Sequence, residues 1–304
     1  MKHFVKIFFF IFLGLTLITC EKKDITPTYI LITKEDISLS LENLDLAQFN
    51  SPSGLTAHDF SDIWLTANGK KIGVWELPCK IPILAKGDVT LQLSLGIKLN
   101  GMSTTRPIYP FTQKYISNII AQGGEVIELK PIFKYYNDNA VYFPLVENFE
   151  SAGTIFSSTD SSISGFTKVY DPEIIYQNEN DINDINTCSG LIQLRDSINS
   201  FEVMSNLLTL PGGGKSILLE FNYKSDQEIY TGLLVNQSTS IPTQEALVVL
   251  KPTNGKWKKT YINLTLAVSR NYTATGFRVI LAGNKNNSEI ANFYFDNIRV
   301  VSSR

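Results

Sequence analysis

Nucleophilic catalysis by a hydroxyl or thiol needs a base beside it, and the chain offers two histidines. His3 falls in an N-terminal segment predicted to be removed, which leaves His58. Its neighbours Ala57 and Asp59 read as a loop, and no Gly-x-Ser-x-Gly turn is present to raise a nucleophile. A three-histidine zinc site within one chain is excluded by the same count. Gly212-Gly213-Gly214-Lys215-Ser216 has the composition of a phosphate loop. It lacks the first glycine at the required spacing and runs into a strand-like segment, so it reads as a turn. The stretch from Glu179 to Asn186 is rich in oxygen ligands. After Asp181 and Asn183, however, Ile185 stands where a helix-loop-helix calcium site needs a third oxygen, and a solvated loop is expected. A glycoside hydrolase needs only two carboxylates, which the inventory leaves open without singling out a pair. The expectation is a protein that is not an enzyme.

The 304 residues are 43% hydrophobic and 11% aromatic, a composition that excludes disordered and collagen-like chains. Basic side chains number 27 against 29 acidic ones. Without Lys2 and Lys6 of the N-terminal segment, 25 basic groups face 29 acidic ones, and the charge is −4. A polyanion-binding surface needs a basic excess, so nucleic acid is not an expected partner.

Met1 to Lys6 is short and basic, and Ile7 to Ile18 is apolar apart from Gly14 and Thr16. That run is shorter than the roughly 20 residues a spanning helix needs and fits a secretory signal. It ends in Leu17-Ile18-Thr19-Cys20, which resembles the lipobox of bacterial lipoproteins. The resemblance implies a signal peptide over 1–19, acylation of Cys20, and a lipidated tether over 20–29. Three acyl chains exceed the two signals that stable anchoring requires, so the membrane is an expected partner. Glu21-Lys22-Lys23-Asp24 resembles the surface-export tract of Bacteroidota lipoproteins. That resemblance implies an outer-membrane lipoprotein exposed at the cell surface, with the periplasmic face as the alternative.

The elements that would position any site are strands. Val89, Leu91, Leu93, Leu95 and Ile97 alternate with small or polar residues, and Ile217, Leu219, Phe221 and Tyr223 alternate with Leu218, Glu220 and Asn222. A period of two over such spans predicts half-buried antiparallel strands. Asn68-Gly69, Asn100-Gly101 and Asn254-Gly255 punctuate them as turns, and Asn68-Gly69 predicts a type I′ hairpin. The expected fold class is all-β, two antiparallel β-sandwiches, with a small unit over 30–139, a boundary near Asp138-Asn139-Ala140, and a second unit over 145–304.

Two further resemblances follow from motifs in these units. The hairpin Ile63 to Trp75, the proline-containing link Leu77 to Pro82, and the Lys86-Gly87-Asp88 turn into an alternating strand together resemble the PEGA domain, a small Ig-like β-sandwich of bacterial envelope proteins. The namesake Pro-Glu-Gly-Ala is missing, and Gly96 to Phe111 is an extra stretch. The resemblance implies a scaffold or binding role without catalytic residues. Val146-Glu147-Asn148-Phe149-Glu150, then Trp257 to Leu264, then Asn292 to Val300 resemble the galactose-binding-like and carbohydrate-binding jelly rolls. Phe293 and Phe295 are expected on one face of the closing strand, and Tyr294, Asp296 and Ile298 on the other. The resemblance implies a structural calcium held by Glu150 and Asp296. The alternative for Asp296 is a turn cap on backbone amides.

Tyr109, Phe111 and Tyr115 cluster after the extra stretch and are expected to be exposed, as candidate ligand-binding residues on a loop stiffened by Pro107 and Pro110. Cys79 and Cys188 fall in different units and are expected to be buried free thiols. The expected function is a non-catalytic envelope lipoprotein that binds a polysaccharide or another ligand. A structural or adhesion role with an envelope protein partner is the alternative, and a glycoside hydrolase the more distant one.

Overall fold

The computed structural model describes residues 26–160, 162–238 and 241–304. The expected signal peptide and lipidation residue, Cys20, lie outside the described residues. No helix among those described is long and apolar enough to cross a membrane.

The N-terminal unit holds β1 (Thr28–Ile32), β2 (Ser38–Ser40), β3 (Asp62–Ala67), β4 (Lys70–Glu76), β5 (Cys79–Ile83), β6 (Gly87–Gly96), β7 (Tyr115–Ala121), β8 (Val126–Glu128) and β9 (Ile132–Lys134). A four-stranded antiparallel sheet, β4-β3-β6-β7, faces the three-stranded sheet β5-β1-β8. The expected alternation is realised in β6, where Val89, Leu91, Leu93 and Leu95 are buried against Ile30, Ile32, Ile81 and Ile83. Asn68 and Gly69 both adopt positive φ and close the β3–β4 hairpin as a type I′ turn requires. Two pairings depart from the antiparallel expectation: β1 with β8 and β2 with β9 are parallel. Strands so short carry too little pattern to reveal their direction.

The second unit contains β10 (Val141–Glu147), β11 (Ser157–Ser158), β12 (Thr167–Val169), β13 (Ser189–Arg195), β14 (Ser200–Met204), β15 (Ile217–Ser225), β16 (Ile229–Asn236), β17 (Thr243–Leu250), β18 (Lys258–Asn263), α1 (Thr265–Arg270), β19 (Gly276–Asn284) and β20 (Ile290–Ser303). It is a jelly-roll sandwich. One sheet runs β12-β13-β20-β15-β18, and β10 pairs with the C-terminal half of β20. The other runs β11-β14-β19-β16-β17. Phe201, Phe221, Phe293 and Phe295 interlock between the sheets with ring centroids 4.9–6.5 Å apart.

Ile298 does not lie where strict alternation puts it. The pairing of β15 with β20 slips between Glu220 and Asn222, opposite Asn297, whose φ is 50°. This bulge inserts one residue and inverts the facing of everything after it. Ile298 and Val300 therefore join Phe293 and Phe295 in the core, while Arg299 and Val301 turn outward.

The outward face of this sheet is not solvated. Strand β15 is buried on both faces, and Leu218, Tyr261 and Val301 belong to the core of the N-terminal unit. The correction to a half-buried strand has a simple cause, because the N-terminal unit covers the outer face. At the centre of the contact, Arg299 donates Nε and Nη2 to Glu220 Oε2 (2.9 and 2.7 Å). Its remaining donors go to the carbonyls of Gly54, Leu55 and Ala57. Tyr109 Oη donates to Glu220 Oε1 at 2.7 Å. Both charged side chains are almost fully buried, at 2% and 0% exposure.

The segment 53–59 is clamped from the other side. Asp184 accepts from the Gly54 amide (2.9 Å), Ser53 Oγ (2.9 Å) and Thr56 Oγ1 (3.1 Å). The oxygen-rich stretch 179–186 is a loop exposed at Ile182, Asn183 and Ile185, as expected, and through Asp184 it also clasps the two units. Gly54 has φ +79°, and a Cβ there would lie 1.6 Å from Asn297 Oδ1, so only glycine fits.

Replacing Arg299 by Met would leave the Glu220 carboxylate buried without its partner, which costs about 3–5 kcal/mol. Chemical denaturation of the variant should show this loss, whereas Lys34→Met, which breaks an exposed pair with Asp59, should change stability by less than about 1 kcal/mol.

Candidate functional site

The residues picked from sequence come out in three different settings. Tyr109 and Phe111 are buried, at 1% and 0% exposure, and Tyr115 packs against the same core. The exposure expected for these rings is corrected: the extra stretch 96–111 bridges to the edge of β18 through Leu99 and Tyr261 and carries the rings into the contact between units. A ligand cannot reach Tyr109 or Phe111. Cys79 and Cys188 are buried free thiols in separate units. His58 is buried, stacked on Phe60 with centroids 4.5 Å apart, and its Nε2 lies 3.2 Å from the Ile37 carbonyl. Burial pushes its pKa down to about 3.

Glu150 and Asp296 each take their own set of donors. Glu150 accepts from the Thr187 amide (2.8 Å), Thr187 Oγ1 (2.5 Å) and the Cys188 amide (3.3 Å). Asp296 is fully buried and accepts from Ser189 Oγ (2.5 Å), Asn186 Nδ2 (2.9 Å) and the Asn297 amide (2.8 Å). Burial raises its pKa well above the usual carboxylate range, against the pull of these donors. Three oxygens surround Asn186 Nδ2: Asp296 Oδ2 and the carbonyls of Tyr176 and Cys188, both at 3.0 Å. An amide nitrogen has two hydrogens for these three acceptors, and Asn186 Oδ1 is itself buried without a partner. Asp296 Oδ2, the two carbonyls and Asn186 Oδ1 are oxygens of the kind a hard cation takes.

A different surface has the form of a binding site. On the outer face of the five-stranded sheet, cross-strand registers place Glu202, Ala282, Tyr230 and Val249 in one row and Ile280, Gly232 and Ala246 in the next. Leu234 lies between Arg278 and Gln244 in a third row. Gln244 Nε2 donates to Glu202 Oε2 at 3.3 Å, across the two intervening strands β16 and β19. Side chains separated by two strands meet only on a face that curls towards itself, as strand twist makes a sheet do along one diagonal. Ile280 faces outward yet is 5% exposed, while Tyr230 is 40% exposed. The face is a trough with a floor of small and aliphatic residues and one aromatic on its surface. Arg278 is held by Nη1 to the Ser205 carbonyl, 2.9 Å. Tyr230 gave no sequence signal beyond its place in a strand, because the trough is made by curvature.

A second concavity, a cleft of about 460 Å³, lies between the units. Lys34, His58 and Asp59 line it from the N-terminal unit, and Tyr176, Asn222, Trp257 and Lys259 from the second.

No protein-family model matches the chain, and no curated protein matches it. Carbohydrate-binding jelly rolls are among the solved structures it resembles. A Clostridium thermocellum xylanase 10B fragment, with CBM22-1 and GH10 modules in complex with xylohexaose, is 14% identical with a TM-score of 0.39. The match covers 54% of this chain and 28% of that one, so the chain spans under a third of that protein. The CBM22-2 xylan-binding domain of Paenibacillus barcinonensis Xyn10C is 15% identical, with a TM-score of 0.37 over 52% of this chain and 98% of its own. A family 29 module variant complexed with mannohexaose is 12% identical, with a TM-score of 0.32 over 54% and 92%.

Proposed function

We propose that the chain is a non-catalytic glycan-binding lipoprotein that holds a saccharide in the trough of the five-stranded sheet. The trough is the observation that carries this reading. A sugar ring presents an apolar C–H face and a rim of hydroxyls. Tyr230 offers a flat ring for the first, and Glu202, Gln244 and Arg278 offer planar donors and acceptors for the second. Gly232, Ala246 and Ala282 put only small groups on the floor. In this reading acylated Cys20 anchors the chain in the outer membrane at the cell surface, and the PEGA-like unit holds the jelly roll away from the bilayer. An envelope-assembly role is the second reading. It rests on Ile116 and Ile120, which stand 59% and 61% exposed on edge strand β7.

A structural calcium belongs to the same proposal, ligated by Asp296 and the carbonyls of Tyr176 and Cys188, with Asn186 turned to present Oδ1. A cation that binds the native state alone stabilises it by about 2.7 kcal/mol at a hundredfold excess over its dissociation constant.

Three measurements test these statements. In affinity electrophoresis against a panel of plant and microbial polysaccharides, at least one should retard the full chain. Tyr230→Ala should weaken that binding roughly tenfold or more, about 1.4 kcal/mol. An unretarded chain across the panel, or an unaffected variant, sinks the trough reading. Calcium should raise the melting temperature of the full chain and a chelator should reverse it. Asp296→Asn should abolish the response and Glu150→Gln should leave it. Metabolic labelling with a fatty-acid analogue should mark the wild type and not Cys20→Ala.

A further inference from the structure

Lys259 is a cation in an unusual place. Its side chain is 1% exposed, on β18, beside its register partner Asn222 on β15. A lysine ammonium has three hydrogens to donate. Among the described residues its one hydrogen-bond acceptor is Asn222 Oδ1, at a long 3.5 Å, and the Tyr261 ring lies 5.9 Å away. Glu220 Oε2 stands 4.0 Å away, but Arg299 already donates to it twice and Tyr109 holds the other oxygen. Glu220 is therefore shared by Arg299 and Lys259, and among the described residues Lys259 Nζ has no carboxylate oxygen nearer than 4.0 Å.

A second orphan lies close by. The contact of His58 Nε2 with the Ile37 carbonyl assigns the proton to Nε2. That leaves Nδ1 as a buried acceptor with no partner among the described residues. The wall beside these groups is aromatic: Tyr176 and Trp257 meet edge to face at 5.6 Å, and Trp257 is fixed by Nε1–H to the Ile174 carbonyl. Gln177, Glu179 and Asn180 add planar polar groups to the lining. A volume of about 460 Å³ is in the range of small-ligand sites. The outer lining carries Glu35, Glu173 and Glu179 against Lys258, while Lys34 is paired with Asp59. A run of acidic sugars would be repelled there, whereas one carboxylate could pass to the cation beneath.

We propose that the cleft between the two units is a second binding site, independent of the trough, for a saccharide carrying a single carboxylate. The carboxylate pairs with Lys259 Nζ, the ring lies against the Tyr176–Trp257 wall, and a hydroxyl donates to His58 Nδ1. Lys259 is faced by Glu220 from β15, by Arg299 and Asp296 from β20, and by Asp59 and His58 from the N-terminal unit. Desolvation first, and then Arg299, lower its pKa to about 7, and Glu220, Asp59 and Asp296 oppose the shift. The empty cleft therefore loses the Lys259 proton as pH rises through 7. A bound carboxylate favours the protonated form, so affinity is full below pH 7 and falls about tenfold per pH unit above it.

The test is calorimetry on the detergent-solubilised full chain with an aldobiouronate (glucuronic acid linked to xylose) and with neutral xylobiose. The aldobiouronate should bind at least tenfold more tightly, and its affinity should fall about fiftyfold between pH 7 and pH 9. Lys259→Met should abolish this preference without lowering the melting temperature, since it replaces a buried, poorly paired cation by an apolar chain of similar length. Trp257→Ala should weaken binding of the acid sugar, and Tyr230→Ala should leave it unchanged. Equal affinity for the two sugars, no binding of the acid one, or wild-type affinity in Lys259→Met overturns the proposal. Loss of acid-sugar binding in Tyr230→Ala assigns it to the trough instead and also overturns the cleft site.

Discussion

The Arg299 guanidinium is the group on which the arrangement of the two units turns. An arginine sealed from water must place all five of its N–H groups, and here they go to one carboxylate and three carbonyls. The carboxylate, Glu220, belongs to the jelly roll. The carbonyls of Gly54, Leu55 and Ala57 belong to the N-terminal unit. Neither unit alone satisfies this side chain, and separating them would expose Leu218, Tyr261 and Val301 as well. Desolvating such a pair costs several kcal/mol, so its contribution lies more in fixing one arrangement than in net stability. The bulge at Asn297 is part of the same device, because without the extra residue Arg299 would point into the jelly-roll core.

This contact also decides which faces of the jelly roll stay open. The N-terminal unit covers one face of the six-stranded sheet and leaves the five-stranded sheet open. The open face curls into the trough around Tyr230. The covered face is not sealed to its edge, and where segment 172–180 and the N-terminal unit part, the cleft over Asn222 and Lys259 remains. Two chemically different concavities result. The trough has an aliphatic floor and polar walls, and the cleft has a cation at its base and an aromatic side. Asp184, in a stretch that resembles a calcium loop by composition, serves neither and instead clasps Gly54 and its neighbours.

The all-β class, the β3–β4 hairpin and the inward phenylalanines of β20 were set by the sequence, because each depends on local causes: a period of two, a turn needing positive φ, a run of apolar residues. The buried thiols of Cys79 and Cys188 were legible on the same terms. Burial of Tyr109 and Phe111 was not legible, since it depends on a surface more than a hundred residues further along the chain. Nor was the facing of Ile298, which one bulge reversed. Glu220 and Lys259 look like ordinary solvated charges in strands, and nothing in their neighbours announces that one is paired and the other stranded. Tyr230 stands out only once four strands curl around it. Periodicity fixes which side of a strand a residue is on; only the packed units decide whether that side meets water, a partner or a cavity.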